Sequence, residues 1–210
     1  TPGDEQAIKN DLATLIEDFK VSENNQLFLS ENDSDTSLNT NFQYKSSLNQ
    51  VIANTIFEGN KGDVVGPYKD KDFFKLTKIT EVTQMPDSAR ASHILIPFVG
   101  AQRVAPEVTR TEDEAKKLAD SLYNVVKRRK SKFEGLAKEF SSDKGSAAKG
   151  GDLDWFNYTR MTPAFRDFVF EGKKGDMGVV KSPFGFHIIK IDNQKNKQKV
   201  LKLATYGRKI

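Results

Sequence analysis

Two histidines, His93 and His187, are present in the 210 residues and there is no cysteine, so imidazole chemistry has two places to live and thiol chemistry none. They stand 94 positions apart with no H-E-x-x-H helix or Asp/Asn-rich loop, a poor ligand set for zinc or calcium. No metal or other cofactor is expected. A hydrolase would need a nucleophile with a base, and the chain carries no G-x-S-x-G elbow. Its glycine-rich stretch, Gly145 to Gly151, lacks the G-K-[ST] ending of a phosphate-binding loop. Asp152 and Asp154 could form an acid-base couple, but beside two glycines they read more simply as turn and strand-edge residues. The histidines remain. A lone histidine on an apolar strand is more often a hydrogen-bonded core residue than a catalyst, so context must decide its role.

The elements that would position them follow from pattern. Ala91-Ser92-His93-Ile94-Leu95-Ile96 is short, β-branched and closed by Pro97. Phe186-His187-Ile188-Ile189-Lys190-Ile191 follows the turn signal Ser182-Pro183-Phe184-Gly185. Each histidine therefore falls inside a predicted strand. Between them the capping box Thr111-x-x-Glu114 opens a helix with Ala115, Leu118, Ala119, Leu122 and Val126 on one face. A second box, Ser131-x-x-Glu134, opens a shorter helix that stops in the loop SSDKGSAAKGGD. A third starts at Thr162-Pro163 and ends near Gly172. With short strands at 153–156 and 178–181, the order is that of an α+β fold.

Composition excludes several classes. With 37% hydrophobic and 30% charged residues the chain is an ordinary globular sequence, neither disordered nor collagenous. The net charge of +4 is thinly spread apart from Lys127 to Lys130 and a basic end from Lys195 to Lys209, and aromatics do not alternate with these charges. No nucleic-acid partner is expected. No run of about 18 apolar residues and no charged-then-apolar leader occurs, so no membrane contact by this segment and no export signal within it are expected.

FEGNKGDVVGPY at 57–68 echoes FEGKKGDMGVVK at 170–181, an offset of 113. Carried backwards, it lays Leu48, Ile52 and Ile56 on Met161, Phe165 and Val169, and Phe42 on Trp155. Forwards, after a one-residue gap, Phe74-Lys75-Leu76 meets Phe186-His187-Ile188. Residues 1–84 then read as a second, degenerate copy that lacks its first strand and both histidines. Met85-Pro86-Asp87-Ser88 reads as the junction, because proline with Asp and Ser breaks the strand pattern. Residues 85–192 form the intact copy, and 193–210 a basic outgoing strand or tail, as if cut from a longer chain.

The order ASHILI, SSDKGSAAKGGDLDWF, MTPAF, VFEGKKGD and SPFGFHIIKI resembles the parvulin (PpiC-type) family of peptidyl-prolyl cis-trans isomerases, across residues 91 to about 192. The resemblance implies a small antiparallel sheet flanked by helices, with its first and last strands adjacent so that His93 and His187 meet. It implies a third polar site residue at Asp143, with Ser142 or Lys144 as alternatives. It also implies a proline-binding cup of Leu153, Phe156, Met161 and Phe165, whose plain alternative is core.

These residue types suit the implied reaction. Rotating a peptide bond breaks amide resonance worth about 18 to 20 kcal/mol, and no covalent bond is cleaved. A dry cup can hold the pyrrolidine ring while a polar group attends the turning carbonyl. The expected activity is isomerisation of X-Pro bonds in unfolded or exported polypeptides. A non-catalytic holdase gripping clients in the same groove is the alternative, and binding alone would not require the two histidines. The loop Val99 to Arg110 holds only Arg103 and Arg110 as basic residues, so phosphorylated substrate is not required. The two-copy arrangement looks like the exported foldases of Gram-negative bacteria, which implies a periplasmic location within a longer, membrane-anchored chain.

Overall fold

Thr1 and Thr111 carry the same helix-starting chemistry. Each threonine hydroxyl accepts the N–H of the residue three further on, and the acid there, Asp4 or Glu114, accepts from the cap's own backbone nitrogen. The computed structural model describes residues 1–210. They divide into two units, Thr1–Gln84 with Lys199–Ile210, and Met85–Gln198.

The first unit begins with helices α1 (Pro2–Thr14), α2 (Ile16–Val21) and α3 (Asn25–Glu31). Strand β1 (Phe42–Tyr44), helix α4 (Ala53–Glu58), strand β2 (Val64–Asp70) and the start of β3 (Phe73–Ile96) follow. One core gathers Leu12, Phe19, Phe28, Leu76 and Tyr206; another gathers Ile52, Ile56, Ile79, Leu201 and Leu203.

The second unit takes over β3 from Met85 and continues with α5 (Glu112–Arg128), α6 (Phe133–Phe140) and the short α7 (Lys144–Ala147). Strand β4 (Asp152–Asn157), α8 (Pro163–Glu171), β5 (Met177–Ser182) and the start of β6 (Gly185–Lys209) complete it. Here β4 pairs with β3 and β5 with β6, all antiparallel, and β3 and β6 are neighbours. Alternation sorts the central strands: Ile94, Ile96, Phe186 and Ile188 join the core under α5 and α6, while His93, Leu95 and His187 turn to the other face. The result is an α+β protein with antiparallel pairing and flanking helices.

Three local features differ from the sequence pattern. Residues 85–88 remain extended, because proline's fixed φ is compatible with a strand and Ser88 already pairs with Asn157; the division between units nevertheless falls after Gln84. The loop before Gly150 contains α7, with Asp143 at its N-cap. Most consequentially, Lys199 onward is neither outgoing nor a tail. It is a strand of the first unit, paired with β1 through Phe42↔Lys202 and Tyr44↔Val200. Val200, Leu201, Ala204 and Tyr206 are fully buried there, and those apolar side chains are what the first unit's sheet covers.

Candidate functional site

The strand carrying His93 is clipped at three points to the loop that carries Asp143. His93 N–H donates to the Gly151 carbonyl at 2.9 Å, Leu95 N–H to Ser141 Oγ at 3.0 Å, and Ser142 N–H to the Leu95 carbonyl at 2.9 Å. Gly151 is required for this approach: its φ is +92°, and a Cβ would stand 2.5 Å from the His93 carbonyl oxygen. Clipped this way, the Asp143 side chain leaves its helix start uncapped and turns to His93, with Oδ2 2.7 Å from Nε2.

His93 and His187 face each other through their Nδ1 atoms at 3.0 Å, with rings 5.2 Å apart and nearly parallel. Both are buried, at 6% and 5% exposure. Burial, then the neighbouring His93, pushes His187 down to about 3, so it is neutral. The hydrogen bond from His93, reinforced by Ser146, holds the Asp143 carboxyl well below the usual carboxylate range, so it is ionised. Asp143 can only accept, so His93 donates to it from Nε2. His187 is also hydrogen-bonded through its other ring nitrogen, Nε2, where Ser182 Oγ lies 2.6 Å away. Ser182 Oγ in turn accepts Phe184 N–H at 3.1 Å. The hydrogen bonds run unbroken from the 182–184 turn to the carboxylate.

This chain forms the floor of a cavity of about 470 Å³. Leu153, Met161 and Phe165 line it, and the Phe165 ring stands edge-on to both imidazoles, at 5.7 Å from His93 and 5.3 Å from His187. Leu153 reaches the cavity because the β3–β4 ladder slips between Arg90 and Ser92, leaving 153 and 154 unpaired, with Asp154 at φ +59°. Phe156, expected in the cup, does not line it. It pairs opposite Ala89, is buried, and packs on Phe165 and Phe170, supporting the cup from behind. Of the alternatives to Asp143, Ser142 lines the cavity through its position in the loop, and Lys144 Nζ instead donates to the Ser141 carbonyl.

Sequence reasoning missed Ser146 and Ser182, both buried and both on the imidazole chain. Ser182 was visible only as the first residue of a turn signal. It also missed the wall of Arg103, Phe184 and Arg160, which nothing in local pattern marks.

A four-stranded arrangement with paired central histidines above an apolar cup defines a class, and the family model for the PPIC-type PPIASE domain matches residues 74–195, more than half of the chain. The chain belongs to that parvulin-type family. Chaperone SurA of Shigella dysenteriae serotype 1 (strain Sd197) is 32% identical over 152 residues, covering 71% of this chain and 34% of SurA. The chain thus spans about a third of the length of the curated relatives it matches. Among solved structures, the peptidyl-prolyl isomerase ESS1 from Candida albicans is 26% identical, covers 51% of this chain and 63% of its own, and has a TM-score of 0.48. PrsA from Bacillus subtilis is 36% identical, covers 52% and 36%, and has a TM-score of 0.41. No helix is long and apolar enough to cross a membrane.

Proposed function

We propose that this chain accelerates cis-trans rotation about X-Pro bonds in unfolded or exported polypeptides, without covalent chemistry and without a cofactor. The observation that carries the reading is the hydrogen-bond chain from Ser182 through His187 and His93 to Asp143, at the floor of an apolar cup. Leu153, Met161 and Phe165 hold the pyrrolidine ring; Phe156 keeps Phe165 in place. The twisted amide has lost its resonance, so its carbonyl is less polar and its nitrogen pyramidal. A site that grips the ring and leaves the carbonyl free to turn binds that state better than the planar one.

Asp143, His93 and His187 act as one unit. Neutral His187 orients His93, His93 orients Asp143, and the carboxylate attends the turning peptide group. No proton needs to leave the protein. Uncatalysed exchange takes about 10 to 100 s, which leaves a wide window for acceleration. The test is NMR exchange on an X-Pro peptide with the whole chain, with no coupling protease. Accelerated exchange that His93→Ala removes while the melting temperature holds supports the reading; acceleration that survives the substitution sinks it. Phosphorylated and plain peptides should turn over alike, and a strict demand for phosphate would count against the absence of that requirement.

Binding without catalysis is the second reading, favoured by the first unit. We take residues 1–84 as a degenerate copy, completed by Lys199–Ile210, whose own groove carries no imidazole. It would hold clients rather than turn them over. Resemblance to the two-copy exported foldases supports action in the periplasm, within a longer and membrane-anchored chain, which cell fractionation of the full protein would test.

A further inference from the structure

Lys78 stands where the strand pattern asks for an apolar side chain. It follows Phe74 and Leu76 on one face of β3, the face that joins the core beneath the first three helices, and only 6% of it is exposed. Its Nζ donates to the Phe19 carbonyl at 2.9 Å and to the Ser22 carbonyl at 2.6 Å, at the end of α2. Those two bonds leave the third N–H of the ammonium without a partner, and no carboxylate pairs with its charge. A buried cation without a counter-ion carries an uncompensated desolvation cost. A strand that breaks its own pattern in this way does so characteristically at a functional site. Lys78 lines a cavity of about 530 Å³ in the first unit. The exposed Lys20 and Lys61 line it too, neither ion-paired, against a single acid, Glu23. Asn25 adds a second unmet group, because its Oδ1 is buried and accepts no hydrogen bond. Val21, 74% exposed, and Ile79 give the cavity an apolar side. It therefore offers donors to an anion, an acceptor to one N–H or O–H, and a patch to a hydrocarbon group.

We propose that this cavity captures the C-terminal end of a polypeptide chain. The terminal carboxylate pairs with Lys78, with Lys61 adding charge; the last peptide N–H donates to Asn25 Oδ1; and an apolar final side chain lies against Val21 and Ile79. Only at a chain terminus do a carboxylate and a peptide N–H share one Cα, and that pairing is what the two unmet groups ask for. An aspartate or glutamate inside a chain holds its carboxylate on a longer, flexible stem. The inference stands apart from the isomerase reading: it needs neither the cup nor the imidazoles, and no correspondence between the two units.

The experiment is an NMR shift titration of the whole chain with acetyl-Ala-Ala-Val, which lacks proline and so keeps clear of the cup, read at the backbone amides of Gly62, Lys78 and Thr80. The free acid should bind about tenfold tighter than its C-terminal amide, the difference made by a hydrogen bond to a charged group. Methylating the last peptide nitrogen should weaken the acid about fivefold, and acetyl-Ala-Glu-Ala-amide should bind no better than the plain amide. In Lys78→Met, acid and amide should bind alike while X-Pro exchange is unchanged, so this inference and the isomerase reading fail separately. Because Lys78 also holds the end of α2, two milder variants are measured beside it and decide the matter should Lys78→Met not fold. Lys61→Gln should narrow the acid-to-amide ratio by about twofold, and Asn25→Ala should abolish the effect of N-methylation while leaving that ratio in place. Equal affinities for acid and amide, or a ratio untouched by every lysine substitution that folds, would overturn the proposal. So would acetate alone, or the internal glutamate, binding as tightly as the free chain end, which would make the cavity a general carboxylate site.

Discussion

In the second unit the central strands bring His93 and His187 to 3.0 Å; in the first, the corresponding strands bring the hydroxyls of Thr205 and Thr77 to 3.0 Å. The correspondence rests on the proposal that the first unit is a degenerate copy of the second. Phe42, which the repeat lays on Trp155, pairs with Lys202, whereas Trp155 pairs with Arg90; three residues on, Thr205 stands where His93 stands. Lys75, laid on His187 by the repeat, is ion-paired to Asp70 at 2.6 Å. Leu48 and Ile52, matched to Met161 and Phe165, still line a groove, but one of about 250 Å³ against about 470 Å³, with Gln43, Thr77 and Thr205 among its lining residues. In that comparison a pair of threonine hydroxyls bridges the strands of the first unit, two positions beyond the residue laid on His187. Threonine hydroxyls can hydrogen-bond across the strands, yet they cannot relay a fixed tautomer to a carboxylate, and the first unit has no counterpart of that chain.

The comparison is broken most severely at the cup. Phe165→Ala should cost about 3 to 5 kcal/mol of stability and remove the surface that grips the ring, so both the melting temperature and X-Pro exchange fall. Its counterpart Ile52→Ala should cost about 2 to 5 kcal/mol with no loss of rate per folded molecule, and an equal rate loss there would show that the two grooves share the work. The next effect is at the imidazoles. His93→Ala should slow exchange by at least about tenfold, equivalent to about 1.4 kcal/mol, whereas Thr205→Ala in the other unit should leave it in place. Line-shape NMR on one peptide measures both.

A gentler probe is pH. His187 is held down to about 3 in the folded protein against an ordinary value of 6.5, so between those values the unfolded chain binds a proton that the folded one does not. Stability from this group is complete above about pH 6.5 and is lost as pH falls toward 3. Chemical denaturation from pH 7 to 4 should show that slope, and His187→Leu should flatten it. A slope unchanged in the variant would place the proton uptake elsewhere. Ser182→Ala, last in size, removes one hydrogen bond of about 1 kcal/mol and leaves His187 Nε2 without its hydroxyl partner. Its signature is an altered His187 tautomer in the nitrogen NMR spectrum, alongside a modest rate loss.

How much of this was legible in sequence varies by element. The helices opened by Thr111 and Thr162 were readable because capping residues and apolar spacing are local, and both begin where that chemistry predicts. The strands around His93 and His187 were readable, but not their length. β-pairing is decided by the partner strand, and Lys199–Lys209 finds its partners in β1 and β3, more than a hundred residues away in sequence. Phe156 was placed in the cup by the family resemblance, and local pattern around it carries no sign of the bulge. The slip at 153–154 decides which of Leu153 and Phe156 faces the groove.

By itself, the sequence determined the inventory: two imidazoles, no thiol, a set of apolar residues at helical and strand spacing, and a segment at 57–68 echoed at 170–181. Tertiary structure alone decided that Ser182 and Ser146 complete the imidazole chain, that Arg103 and Arg160 share a rim, and that the last strand belongs to the first unit. The physical reason is range. Caps, turns and periodicity act over a few residues, whereas a hydrogen-bond chain and a cavity wall join side chains that only the folded backbone brings together.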